Sequence, residues 1–117
     1  MAYIYIVRCD DDSLYTGITT DIEKRMKNHI SGKGPSHAKY MRSRTPVEIA
    51  ALWQTDEYKV AAKLEYAVKK LCRKDKLRLV DGSLTVCEAF PKLSEYEFVR
   101  VNPPKLEELR DVPREEK

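Results

Sequence analysis

Hydrophobic and polar positions divide the chain into short segments of differing period. Ala2 to Arg8 (Ala-Tyr-Ile-Tyr-Ile-Val-Arg) is rich in aromatic and β-branched residues and predicts a strand. Asp10-Asp11-Asp12-Ser13 has turn chemistry, and Leu14 to Thr19 predicts a second strand, so the chain opens on a β-hairpin. Thr20 and Glu23 stand at capping-box spacing with Thr20 as N-cap. The helix they start should end near Ser31-Gly32. Gly32-Lys33-Gly34-Pro35 predicts a basic loop, and His37 to Arg44 a short helix. Pro46 to Gln54 alternates weakly through Val47, Ile49, Leu52 and Trp53 and suits a third strand. Thr55-Asp56-Glu57 opens the longest predicted helix, running to about Lys74, with Ala61, Leu64, Val68, Leu71 and Cys72 as its buried stripe. A shorter helix through Lys76, Leu77, Leu79 and Val80 ends at Asp81-Gly82.

The order β-β-α-(α)-β-α-α predicts an α+β domain, a small three-stranded sheet flanked by helices. It occupies residues 1–82. Residues 83–117 form a C-terminal extension, in which Tyr96 to Val101 suits an extra strand and Asn102-Pro103-Pro104 onward a mobile acidic tail.

Length and composition narrow the class. At 117 residues there is room for one core. Three cysteines (Cys9, Cys72, Cys87) without a C-x-x-C pair argue against a disulfide framework or a thiolate zinc site and fit a reducing compartment. The opening apolar run meets Arg8 too soon for a signal peptide or membrane span, so the cytoplasm is the expected place and no membrane partner is expected. The net charge of +3 is unevenly spread: −2 over residues 1–20, +8 over 21–80 and −3 over 81–117. A basic middle suits a polyanion partner, although a charge run alone is more often a solvated face.

Several polar residues sit where the pattern does not require them. Arg25 and His29 are four apart on the first helix and share a face with Ile22 and Met26, which suggests a cleft. The bland alternative is an arginine covering the core with its stem and a satisfied histidine. Glu65 lies at the margin of the long helix's apolar stripe, where a half-buried carboxylate wants a lysine, an arginine or a metal. Gly17 inside a strand weakens it unless a backbone or ligand approaches closely. Tyr5 and Tyr15 fall near each other across the hairpin in the right register.

The ordered set is more specific than its members: Tyr5, Tyr15-Thr16-Gly17, Arg25, His29, Glu65. It resembles the GIY-YIG nuclease family, with Tyr3-Ile4-Tyr5 for Gly-Ile-Tyr and Tyr15-Thr16-Gly17 for Tyr-Ile-Gly. With Ser31-Gly32-Lys33-Gly34 downstream, it is similar to the small stand-alone bacterial branch, over about residues 2–82. The resemblance implies an antiparallel sheet, a catalytic set of Tyr5, Tyr15, Arg25, His29 and Glu65, and Glu65 as the ligand of Mg²⁺ (or Mn²⁺). It makes Arg25 the group on the scissile phosphate and puts His29 at a His-or-Tyr position. Two residues depart from the pattern: Tyr3 replaces the first glycine, and Ile18 stands where some DNA-repair members carry lysine.

The expected activity is therefore metal-dependent hydrolysis of nucleic-acid phosphodiesters, DNA more than RNA, with structure-dependent or low sequence specificity. Arg25 would hold the equatorial oxygens through its planar fork. Either Tyr5 or Tyr15 would position or deprotonate the water, with its pKa of about 10 lowered by its neighbours. Lys33, Lys39, Arg42, Arg44, Lys69, Lys70, Arg73 and Lys74, with Lys76 and Arg78, would grip the backbone without reading bases. No base-reading element follows, so a protein partner is a candidate source of specificity. Two other readings remain: a non-catalytic nucleic-acid-binding module of the same fold, and an interaction protein pairing through Tyr96 to Val101.

Overall fold

A computed structural model describes residues 1–31 and 45–106. The predicted 37–44 helix and the basic residues Lys33, Lys39, Arg42 and Arg44 lie outside the described residues.

Strands β1 (Ala2–Cys9), β2 (Leu14–Thr19), β3 (Pro46–Thr55) and β4 (Val99–Arg100) form one sheet in the order β2-β1-β3-β4, and every pairing is antiparallel. The fold class is α+β, as the pattern predicts, with four strands in place of three. The fourth falls inside the predicted 96–101 strand. Arg100 anchors it: its guanidinium lies 5.2 Å from the Trp53 ring and donates to the carbonyls of Leu79 and Val80 at 3.0 and 2.9 Å.

β1 reads as continuous apolar sequence because both its faces are covered. Ala2, Ile4 and Ile6 point to one side, with Ala51 and Trp53 of β3, under helix α2 (Tyr58–Lys69) and helix α3 (Arg73–Asp81). Tyr5, Val7 and Cys9 point to the other side, with Ile49 and Leu52, under helix α1 (Ile22–Ser31). The weak alternation of β3 has a local cause. Its register against β1 slips between Ile6↔Ala51 and Val7↔Ile49, so Ala50 is an extra residue in the strand.

Three local expectations are corrected. The N-cap of α1 is Asp21, not Thr20: Asp21 Oδ1 accepts the Lys24 amide at 3.1 Å. The Thr19 hydroxyl accepts the Asp21 amide at 3.1 Å, which sets the aspartate at the cap. The long helix does not continue to Lys74. It stops at Lys69, its last turn tightened by Lys70 and Leu71 amides donating to the carbonyls of Ala67 and Val68. Cys72, extended and exposed rather than part of the buried stripe, then starts α3. The break turns the chain back so that Leu79 is buried in the core. α3 ends at Gly82, whose φ of +86° is the left-handed cap that glycine supplies.

The third correction concerns the extension. A short helix α4 (Val86–Ala89) with a Thr85/Glu88 capping box, and the 3₁₀ turn Pro91–Leu93, lay Leu84, Val86, Phe90 and Leu93 against the α2 side of the core. After β4 the chain crosses to the opposite face, the Val101 amide donating to the Leu52 carbonyl at 3.0 Å. Leu106 is buried there with Tyr5, Met26 and Leu52. The expected tail from Asn102 is thus packed as far as Leu106, because a large apolar side chain finds a place under the sheet. Among the described residues, no helix is long and apolar enough to cross a membrane.

Candidate active site

The hairpin register decides which side chains meet. Tyr5 stands opposite Gly17, and Val7 opposite Tyr15. Tyr5 and Tyr15 are therefore diagonal neighbours on the α1 face, ring centroids 6.3 Å apart. α1 brings Arg25 and His29 onto the same spot, one turn apart. The His29 ring packs edge-on against Tyr5 at 5.9 Å and Tyr15 at 5.7 Å.

Tyr5 is the hub. It is fully buried, its hydroxyl 2.9 Å from His29 Nε2, and it accepts a hydrogen bond from Arg25 Nε at 3.2 Å. Burial pushes its pKa up to about 12, against the lowering effect of Arg25 and with smaller upward contributions from Tyr15 and Glu65. The phenol is therefore protonated at neutral pH. With Arg25 donating to its oxygen, its own proton is available to His29 Nε2 in the tautomer that leaves that nitrogen unprotonated. Partial burial works against the Arg25 guanidinium, but its hydrogen bonds to Tyr5 and Tyr15 outweigh this and raise its pKa. Arg25 is thus a fixed cation, half-buried, with part of its fork directed at both tyrosines.

Gly17 has a specific reason to be glycine. A Cβ there would come within 2.5 Å of Tyr5 Cζ. The atoms nearest a side chain at position 17 belong to the Tyr5 phenol.

Glu65 lies on α2, which packs against both hairpin strands. Its carboxylate is half-buried and ion-paired with Lys69 Nζ at 3.1 Å. Lys69 Nζ also lies 6.0 Å from the Tyr15 ring centroid, which places the pair beside the tyrosine cluster. The sequence signal for this pair is its i, i+4 spacing. As a metal site, Glu65 offers one hard oxygen donor. Mg²⁺ is commonly held by one or two carboxylates, with water and substrate phosphate completing the shell, so the donor set fits an ion that binds with phosphate.

The late basic residues have different partners. Lys69 belongs to the site, Lys70 lies 4.3 Å from the Tyr66 ring, and Arg73 reaches Asp12 at 3.4 Å. Arg78 pairs with Asp75, while Lys74 is exposed and Lys76 half-buried. Sequence reasoning missed a groove of about 650 Å³ beside Arg25, lined also by Lys24, Asn28 and Tyr58. An exposed tyrosine opening α2 was the available signal.

Comparison with known proteins identifies relatives of this chain. The UPF0213 protein BH0048 of Halalkalibacterium halodurans is 47% identical over 78 residues, covering 67% of this chain and 80% of that protein. The UPF0213 protein CPE1444 of Clostridium perfringens is 41% identical over 92 residues, covering 79% of this chain and 96% of its own. A solution NMR structure of the UPF0213 protein BH0048 from Bacillus halodurans is 39% identical, covers 80% of this chain and 98% of its own, and has a TM-score of 0.43. The GIY-YIG catalytic domain matches residues 1–78, the stretch that holds both tyrosines, Arg25, His29 and Glu65, and the chain belongs to the GIY-YIG family.

Proposed function

We propose that this chain is a metal-dependent endonuclease acting on nucleic acid, DNA more than RNA, with structure-dependent or low sequence specificity. The observation that carries the reading is the Tyr5 hydroxyl held between Arg25 and His29 with Tyr15 alongside. A purely structural tyrosine does not need a buried histidine and a half-buried arginine on one oxygen.

Each residue has a role that follows from its surroundings. Arg25 is anchored through Nε on Tyr5, and its planar fork would take the oxygens of the scissile phosphate. Tyr5 orients Arg25 and His29 and is not the base, since burial raises its pKa. Tyr15, partly exposed, is the tyrosine that meets the attacking water. His29 touches both rings and fixes their relative position. Glu65 would hold Mg²⁺ or Mn²⁺, which supplies Lewis-acid neutralisation of phosphate charge when bound. The ion pair with Lys69 keeps the carboxylate in place beside Tyr15.

The same ion pair is what favours a second reading, a nucleic-acid-binding module of this fold in which Lys69 permanently takes the place of the metal. Purified wild type and Glu65→Ala, incubated with branched, single-stranded and duplex DNA in Mg²⁺ and in EDTA, separate the two. Cutting that needs both the metal and Glu65 is the expected result. Binding in every wild-type lane with no cutting supports the module, and cutting that survives Glu65→Ala removes the assigned metal ligand.

A further inference from the structure

A polar groove of about 650 Å³ opens beside Arg25. Its walls are the end of β2 at Thr19, the first turns of α1 (Asp21, Lys24, Arg25, Asn28) and Tyr58 at the start of α2. Three features give it a chemical character. Arg25 belongs both to the groove and to the Tyr5–His29 cluster, so the groove opens directly on the proposed phosphate position. Lys24 and Asn28 lie one turn apart on the same helix, a cation and an amide along one line from that position. Tyr58 is an aromatic ring 53% exposed at the groove's far wall. Among the described lining residues Asp21 is the one acid, and its Oδ1 caps α1.

A basic line with an exposed aromatic beside it is the composition of a single-strand site: cations track the phosphates and the ring stacks a base. Bases in an intact duplex are stacked on each other and offer no free face to a protein ring. We infer that the groove holds the nucleotide adjoining the scissile phosphate in an unpaired state, its base stacked on Tyr58 and its backbone along Lys24 and Asn28. The substrate class is then a nucleic acid with a splayed or single-stranded segment at the cut, such as a flap, a branch or an end. This rests on the nuclease reading for the identity of the scissile phosphate, but the strand-binding surface stands independently of cutting.

The test is binding in EDTA, where nothing is cut, using three labelled probes: short oligothymidylate, an abasic strand of the same length, and blunt duplex. The wild type should bind oligothymidylate roughly tenfold more tightly than the abasic strand, the contribution expected of one stacked base. Tyr58→Ala should abolish that difference and leave duplex affinity unchanged, while Tyr58→Trp restores it. Lys24→Ala should weaken all three probes and lower the salt slope by about one. Tyr58 is exposed, so its variants should fold normally, checked by circular dichroism. Equal loss on all three probes with Tyr58→Ala, or no loss on any, overturns the stacking site. A wild type that cuts none of the branched, single-stranded or duplex DNA in Mg²⁺ yet keeps the Tyr58-dependent difference in EDTA retains the strand site and loses the nuclease reading. Cutting with no Tyr58 effect does the reverse.

Discussion

Tyr5 fills the space that a side chain at Gly17 would occupy: a Cβ on Gly17 would come within 2.5 Å of Tyr5 Cζ and 3.0 Å of Cε1. Tyr5 cannot swing away cheaply, because it is fully buried and held by His29 and Arg25. Gly17→Ala should therefore overpack the site and destabilise the fold by about 1–3 kcal/mol in denaturant unfolding. The hydroxyl is among the atoms that crowd position 17, so Tyr5→Phe should absorb part of the penalty. The double variant should then be more stable than the sum of the single effects predicts, and additive losses would show that the two residues do not interact.

The raised Tyr5 pKa makes a stability prediction with a definite sign. The folded value of about 12 lies above the unfolded value near 10, so between these pH values the unfolded chain has released a proton that the folded chain still holds. The stabilisation is fully present below pH 10 and is lost as pH climbs through the folded pKa. Wild type should lose about 2–3 kcal/mol more than Tyr5→Phe between pH 10 and 12. Phenolate absorbance gives an independent check: the highest-pH step of the wild-type titration should be missing in Tyr5→Phe.

Arg25→Lys keeps the charge and removes the planar fork. A lysine cannot hold Tyr5 and a phosphate at the same time with fixed geometry. If Arg25 grips the scissile phosphate, kcat should fall by a factor of about 100 or more, with the far-ultraviolet spectrum unchanged. A variant within threefold of wild type would remove Arg25 from the transition state.

How much of this was legible beforehand depends on how local each determinant is. The hairpin, α1 and the turn-back at Gly82 rest on short-range chemistry, namely β-branched runs, an aspartate-rich turn and a glycine that can take positive φ. The helix period places Arg25 and His29 on one face, and the hairpin brings Tyr5 near Tyr15 in the right register, but only the family resemblance joined the two pairs into one site. What the pattern did not carry was long-range. Nothing local says that α2 stops at Lys69, since Lys70, Leu71 and Cys72 all suit a helix. The stop follows from where Leu79 can be buried. Nothing local says that Leu106 has a place beneath the sheet, and the shift from Thr20 to Asp21 as N-cap is a one-residue choice made by the Thr19 hydroxyl.

The ion pair between Glu65 and Lys69 is partly exposed and spaced i, i+4, so its contribution to stability is small, about 0.3–0.5 kcal/mol. Its larger effect is on the carboxylate's affinity for another cation. Lys69→Ala should leave the unfolding midpoint nearly unchanged and reduce several-fold the Mg²⁺ concentration needed for half-maximal cutting, because the ion no longer displaces an ammonium group. Lys69→Arg should keep the wild-type requirement. An increased Mg²⁺ requirement in Lys69→Ala would show that Lys69 acts with the metal on the phosphate and does not compete with it.

Leu106 links the extension to the site from below. It is 2% exposed and packs in the cluster that contains Tyr5, Val7, Met26, Ile49 and Leu52. Leu106→Ala removes three methyl-sized carbons from a closed space, and such changes cost about 2–5 kcal/mol when the surroundings cannot collapse. The loss should show in urea as a lower midpoint with an unchanged slope. Tyr5 sits in the same cluster, so the variant should also loosen the bond between Tyr5 and His29 and lower activity at temperatures well below unfolding. Truncation after Lys105 should reproduce both effects. If the truncated chain keeps full stability and activity, Leu106 adds nothing to the packing under Tyr5, and the chain from Leu106 onward is dispensable for the site.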